Sequence, residues 1–222
     1  RSKKIKNIFQ NPDDMQEFLK NKISYIKNSN LILSSGVDID LFKAIKCYQT
    51  PIKEFNFLFL SRMLIDKGLN ELKEAVDLLF KQRSDFTLTL AGGIDRGNPR
   101  SVSEIWIKTS FESSNCNWIG YQEDIIPLLE KADVVVLPSY YREGIPHCLI
   151  EALAASKPII TTNTVGCREV INENGILIPP KDSKALFEAM LEMLISNKLK
   201  YWSKNSYKQA AKFDLNLVNQ QT

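Results

Sequence analysis

The hydrophobic pattern changes character near residue 57. From there, short unbroken apolar runs alternate with segments whose apolar residues recur every three or four positions. Phe57-Leu58-Phe59-Leu60 predicts a strand, and Leu72, Ala75, Val76 and Leu79 predict one face of a helix over Leu69 to Phe80. A strand over Phe86 to Leu90 ends at Ala91-Gly92-Gly93. A helix around Ser103 to Phe111 precedes the short strand Asn117-Trp118-Ile119, which Gly120 closes. Ile125 to Glu130 reads as a helix and Asp133 to Leu137 as a strand. After a further helix come the strand Pro158-Ile159-Ile160-Thr161, a short helix near Arg168, the strand Ile176-Leu177-Ile178 and a helix from Ser183 to Leu194. Strands that read as continuous apolar runs are buried on both faces, and repeated βα units build a parallel sheet. The predicted fold class is therefore α/β, a Rossmann-like parallel sheet with helices on both faces and its ligand site at the strands' carboxyl ends.

The first fifty residues break this rhythm. Ile5 to Phe9 predicts a strand, Asp13 to Tyr25 a helix, Leu31-Ile32-Leu33 another strand and Gly36-Val37-Asp38 a turn, with a polar linker running to Pro51. This stretch is too short for a domain of its own.

With 222 residues, 44% of them hydrophobic, the chain can bury a full core. Its net charge of +3 suits an anionic small ligand and is too weak to imply nucleic acid. Cys47, Cys116, Cys148 and Cys167 show neither CxxC nor zinc spacing and read as the reduced thiols of a cytosolic protein. A single histidine, His147, gives little support to a His-rich metal site. No run approaches the roughly 18 apolar residues of a membrane span, and Arg1-Ser2-Lys3-Lys4 leads into no signal-peptide core. A soluble chain is expected, one whose first residue is compatible with a start inside a longer parent.

The chemistry concentrates in Glu143-Gly144-Ile145-Pro146-His147-Cys148-Leu149-Ile150-Glu151. Pro146 fits the first turn of a helix, and the N–H groups near Gly144 and Ile145 form an anion site reinforced by the helix dipole. Gly144 and Glu151 lie about 10 Å apart along such a helix, too far for Glu143 and Glu151 to be a close acid/base pair. That span suits one long ligand held at both ends. Ser61-Arg62-Met63-Leu64-Ile65-Asp66-Lys67-Gly68 follows the first strand of the sheet, where Arg62 offers a planar donor fork and Lys67 a mobile charge suited to a diphosphate; taken alone, the pair reads better as surface ion pairing, and its place on the same strand-end face as Glu143 is what raises it. Gly92 either lets a ligand approach the backbone or makes a plain turn. His147 either lines the pocket or faces solvent. Lys200, Lys204, Lys208 and Lys212 form an i, i+4 stripe interleaved with Tyr201, Trp202, Tyr207 and Phe213; it reads as a solvated helix face or as a surface for an anionic membrane or another domain. There is no GxGxxG and no Walker lysine pattern.

Taken in order, Ser61-Arg62, Lys67-Gly68, Ala91-Gly92-Gly93, Gly120, Ala132 to Ser139, Glu143-Gly144-Ile145-Pro146, Glu151-Ala152 and Asn174-Gly175 resemble glycosyltransferase family 4. Gln10-Asn11-Pro12-Asp13-Asp14 and Ser35-Gly36-Val37-Asp38 are similar to the stretch where that family leaves its N-terminal domain. The resemblance implies a GT-B fold of two Rossmann-like domains. Residues 1–50 would be a remnant of the first domain with its linker, 51–198 the nucleotide-sugar domain, and 199–222 a C-terminal helix packing toward the first domain. It further implies that Arg62 and Lys67 bind the donor diphosphate with help from Gly144 and Ile145. Glu151 would take the ribose hydroxyls and Glu143 the donor sugar near the reacting carbon, while Gly92 and Tyr121 complete the donor site. Glu143, Arg62 and Lys67 would then be the catalytic set.

The reaction implied is retaining hexosyl or N-acetylhexosaminyl transfer from a nucleotide sugar, UDP-linked by preference, with no cofactor and no obligatory metal. Tyr140-Tyr141-Arg142 before Glu143, with Gly166-Cys167-Arg168-Glu169, is most like bacterial members that extend surface glycans or lipid-linked oligosaccharides. The implied partners are the donor, the N-terminal domain carrying the acceptor site and a lipid-linked acceptor, with no nucleic acid. The implied location is the cytoplasm or the inner membrane face. The continuation Ile94-Asp95-Arg96-Gly97 departs from the compact Gly-x-Gly of the family, and the chain alone is expected to transfer little. The competing readings are a nucleotide-sugar binding module without catalysis and a GT-B-fold epimerase.

Overall fold

The computed structural model describes residues 6–45, 54–112 and 115–221. Arg1-Ser2-Lys3-Lys4, the strand start at Ile5, Cys47 and the linker's end at Pro51 lie outside them. In chain order the elements are β1 (Asn7–Phe9), α1 (Pro12–Lys20), β2 (Ser29–Leu31), β3 (Phe55–Leu60), α2 (Leu69–Phe80), β4 (Phe86–Ala91), α3 (Glu104–Ser110), β5 (Cys116–Trp118), α4 (Ile126–Lys131), β6 (Val134–Leu137), α5 (His147–Ala154), β7 (Ile159–Thr162), β8 (Gly175–Ile178), α6 (Ser183–Ile195), α7 (Leu199–Ala210) and α8 (Leu215–Gln221).

Six strands form one parallel sheet in the order β5-β4-β3-β6-β7-β8, the doubly wound arrangement. The apolar runs are buried as their pattern requires: Phe57, Leu58 and Phe59 of β3 and Val134, Val135 and Val136 of β6 are wholly inaccessible to solvent. Helix α2 presents Leu69, Leu72, Ala75, Val76 and Leu79 to the core and packs on α6. Burying a leucine side chain contributes about 1.5–3 kcal/mol. This stripe therefore anchors α2, and with it the loop that precedes the helix.

The early segment differs in detail from its sequence expectation. Helix α1 stops at Lys20 rather than Tyr25, because the Asn21 side chain caps the Glu17 carbonyl at 2.9 Å and Lys22 then turns to φ 56°. The second strand is Ser29–Leu31 rather than Leu31–Leu33. Its start is tied down by the Ser29 hydroxyl, which donates to the Tyr25 carbonyl at 2.9 Å, and it pairs in parallel with β1 from Asn7↔Ser29 to Phe9↔Leu31.

At the other end of the chain, α7 packs on α5. The Ser203 and Ser206 hydroxyls donate to the Ser156 and Lys157 carbonyls, both at 2.7 Å. The aromatics interleaved with the lysine stripe divide between two surroundings. Trp202 and Phe213 are buried, Tyr201 and Tyr207 are half exposed, and all four lysines face solvent. Beyond α7, Val37 N–H donates to the Phe213 carbonyl at 2.8 Å and Leu215 N–H to the Val37 carbonyl at 2.9 Å, joining the turn at Gly36-Val37-Asp38 to the segment before α8.

Candidate functional site: a cleft at the sheet's switch point

Strand order reverses between β3 and β6, and a cavity of about 480 Å³ opens beyond their carboxyl ends. The loop after β3 carries Arg62 and a 3₁₀ turn, Ile65–Lys67, that ends at Gly68 with φ 82°. A Cβ at Gly68 would sit 2.3 Å from the Pro138 carbonyl oxygen, so glycine is what lets this loop lie against the one after β6. Tyr140 N–H at 3.0 Å and the Ser139 hydroxyl at 3.3 Å both donate to the Asp66 carbonyl and join the two loops.

Lys67, 6% exposed, is thereby turned inward and its Nζ forms an ion pair with Glu143 Oε1. A buried ammonium is costly unless it is paired and hydrogen-bonded. Glu143 supplies the pair and also accepts from the Ser139 hydroxyl at 3.4 Å.

Arg62 is held differently. Its side chain is 63% exposed and Nη1 donates to Asp95 Oδ2 at 2.7 Å. The Asp95 backbone N–H in turn donates to the Ser101 hydroxyl at 3.0 Å. The sequence Ile94-Asp95-Arg96-Gly97 that departs from the compact glycine turn therefore supplies Arg62 with a counter-ion. Gly92, at φ 151°, borders the cleft, and what approaches its α-carbon closely is the chain itself: a Cβ there would lie 1.7 Å from the Ser61 carbonyl oxygen.

Helix α5 begins at His147, one residue later than expected. Pro146 occupies the cap position with φ −59° and ψ 125°, and its carbonyl accepts from Leu149 N–H at 3.0 Å. His147 Nδ1 lies 2.9 Å from Glu151 Oε1, and Nε2 lies 3.1 Å from the Gly36 carbonyl. Both partners are acceptors, so the imidazolium, a donor at both nitrogens, satisfies both. Its pKa is raised accordingly, chiefly by the hydrogen bond to Glu151. The neighbouring Cys148 thiol is pushed well above its ordinary pKa by burial, which makes it a poor nucleophile at neutral pH.

The cleft brings together Arg62, Lys67, Gly92, Tyr121, Glu143 and Glu151. It does not bring in Gly144 or Ile145. Gly144 borders a separate cavity of about 510 Å³ with Gln10, Asn11 and Asp14, and the Ile145 side chain is buried in the core. Pro146 at the cap of α5 and His147 and Cys148 in its first turn line the cleft instead, and the loop after β5 adds Gln122 and Glu123. Sequence reasoning left Cys148, Gln122 and Glu123 out. Cys148 could have been found from its place in the helix's first turn, and the other two from following Tyr121 at a strand end. Among the described residues, Cys116, Cys148 and Cys167 are free, no group of three or more His, Cys, Asp or Glu side chains is placed to hold a metal ion, and no helix is long and apolar enough to cross a membrane.

Doubly wound topology with charged side chains converging on the switch point defines a Rossmann-like domain with a ligand-sized cleft at that point. Comparison with known proteins makes this specific. Residues 43–209 match the family described as glycosyl transferases group 1. The chain belongs to that family, the family-4 class its motifs resemble, and forms the C-terminal half of the GT-B fold. It is 30% identical over 228 residues to N,N'-diacetylbacillosaminyl-diphospho-undecaprenol alpha-1,3-N-acetylgalactosaminyltransferase of Campylobacter jejuni, covering 96% of this chain and 57% of that protein. It is 28% identical to the capsular polysaccharide biosynthesis glycosyltransferase CapM of Staphylococcus aureus, covering 80% of this chain and 47% of CapM. The chain thus spans about half the length of these relatives. Among solved structures, a glycosyltransferase from Rickettsia africae superposes with a TM-score of 0.84 at 23% identity, covering 98% of this chain and 61% of that one. Anabaena HepE in complex with UDP and glucose gives 0.80 at 22%, covering 96% and 60%. At these identities the two structures establish the shared fold.

Proposed function

We propose that this domain binds a nucleotide sugar, UDP-linked, and that the complete protein transfers its hexosyl or N-acetylhexosaminyl group, with retention, to a glycan or lipid-linked acceptor. The observation that carries the reading is the convergence of Arg62, Lys67, Glu143 and Glu151 on one switch-point cleft. Lys67 and Arg62 take the diphosphate, whose charge grows as the glycosidic bond breaks, and fixed cations stabilise that charge without reorganisation. Glu143, paired with Lys67, meets the sugar beside the diphosphate. Glu151 takes the ribose hydroxyls, and Tyr121, 75% exposed at the rim, offers a face to the base. Complexes of HepE with UDP and with UDP-glucose support the choice of donor. The undecaprenyl-linked substrate in the name of the Campylobacter relative supports the acceptor class. The acceptor site itself belongs to a partner domain. Ile8, Phe18, Ile23, Tyr25, Ile26 and Leu31 of the early segment expose apolar surface that such a domain would cover.

A thermal-shift screen of UDP-, GDP- and ADP-sugars tests the reading, because a ligand that binds only the folded state raises the melting temperature. UDP-sugars are expected to give the largest shift. A flat response across all three nucleotides would refute the assignment.

A further inference from the structure

The loop carrying Glu143 is gripped from outside the sheet domain. Arg142, immediately before Glu143, donates from Nε at 3.1 Å and from Nη2 at 2.7 Å to Asp14 Oδ1, and its Nη2 also reaches Glu17 Oε2. On the other side of the loop, Arg168 Nη2 donates to Asp13 Oδ1 at 2.5 Å. Three carboxylates on one turn of α1 thus hold two arginines that come from different loops of the sheet domain.

The backbone between them is packed just as closely. A Cβ at Gly144 would lie 2.4 Å from Gln10 Oε1, and a Cβ at Gly166, where φ is 86°, would lie 2.3 Å from the Gly144 carbonyl oxygen. The Glu143-Gly144 peptide is therefore layered between Gln10 and Gly166. Asn11, 1% exposed, fixes the carboxylate end of this grip: its amide donates to Asp14 Oδ2 at 2.8 Å while its own oxygen caps Asp14 N–H at 2.8 Å.

We infer that Arg142 is a positioning residue, and that the Gln10–Glu17 segment acts through it as an electrostatic latch that sets where Glu143 stands in the cleft. The consequence for ligand binding rests on the donor reading above; the latch itself does not. Each ion pair is half exposed, so its individual contribution is small. The latch works by combining several pairs with the backbone packing around Gly144, and it is weakened by salt within the reach of Debye screening.

Amide hydrogen exchange at Tyr140 and Leu149, whose N–H groups donate to the Asp66 and Pro146 carbonyls on either side of the Glu143 loop, measured on the whole chain, tests the latch without any ligand. Arg142→Ala and Asp14→Asn are each expected to speed exchange there roughly two- to fivefold, the range for losing exposed ion pairs. Arg142→Lys should restore part of the protection. High salt should reproduce the change in the wild-type chain and add little in Arg142→Ala. Asp14→Asn keeps the side chain's shape, so the test stands if the alanine variant proves unstable. Titration with UDP and a UDP-sugar supplies the second readout: Arg142→Ala should leave UDP affinity unchanged and lose the increment the sugar adds. Unaltered exchange at Tyr140 and Leu149 in both variants overturns the latch. Faster exchange in a chain that binds no UDP-sugar supports the latch and removes the donor reading instead.

Discussion

Two cations leave β3 in the same loop, and the fold treats them oppositely. Lys67 is turned inward and neutralised by Glu143, its side chain 8% exposed, whereas Arg62 stays 63% exposed on Asp95 at the cleft's edge. The difference follows from Gly68. Its left-handed conformation presses the end of the loop onto Pro138 and turns Lys67 inward against Glu143 at the cleft wall, while Arg62 sits before the 3₁₀ turn and is free of that constraint. One cation is thus part of the architecture and of the site together. The other belongs to the site alone, and substitutions should separate them.

The largest effect is expected from Lys67→Ala. Removing one member of a buried pair leaves the other charge uncompensated at a cost of about 3–5 kcal/mol, and Glu143 at 24% side-chain exposure places this loss near the lower end. Urea denaturation checks it. Next in size, Arg62→Ala should weaken UDP binding by about 1.5–3 kcal/mol, the range for charge-assisted hydrogen bonds, while folding stability moves by no more than about 0.5 kcal/mol. A stability loss equal to that of Lys67→Ala would erase the distinction between the two.

Asp95→Asn probes the same contrast from the counter-ion's side. A diphosphate reaching Arg62 competes with Asp95, so neutralising Asp95 should tighten UDP by about 0.2–1 kcal/mol in calorimetry. Weaker binding would mean that Asp95 aims the guanidinium rather than occupying it.

The smallest effect belongs to His147. Its pKa is raised above 6.5 in the folded protein, so its stabilising contribution is fully present below pH 6.5 and is lost as pH rises through the folded value. His147→Asn should therefore lower the melting temperature slightly at pH 6 and by less at pH 8.5. An equal loss at both pH values would show that packing, and not protonation, is what His147 contributes.

How much of this was legible in the sequence depended on how local the cause was. The parallel sheet was readable because strands buried on both faces leave unbroken apolar runs such as Val134-Val135-Val136-Leu137. Among the cleft residues, Arg62 and Glu143 were readable because each lies in the loop after such a run and Gly92 because it ends a predicted strand, whereas Tyr121 came only with the family resemblance. The partnerships were not readable. Lys67 meets Glu143 across 76 positions and Arg142 meets Asp14 across 128, and no periodicity encodes a contact over that distance. The helix of 199–210 kept its inner face hidden for a different reason: Ser203 and Ser206 look polar in sequence, yet they are buried, with their hydroxyls bonded to backbone carbonyls.

The account's central claim is that the two unlike cations serve one diphosphate. Calorimetric titration of UDP and of uridine into the wild-type chain and into an Arg62→Ala, Lys67→Met double variant tests it most directly. The wild type should bind UDP more tightly than uridine, and the double variant should lose that difference while keeping its affinity for uridine. A double variant that still prefers UDP as strongly as the wild type would contradict the claim.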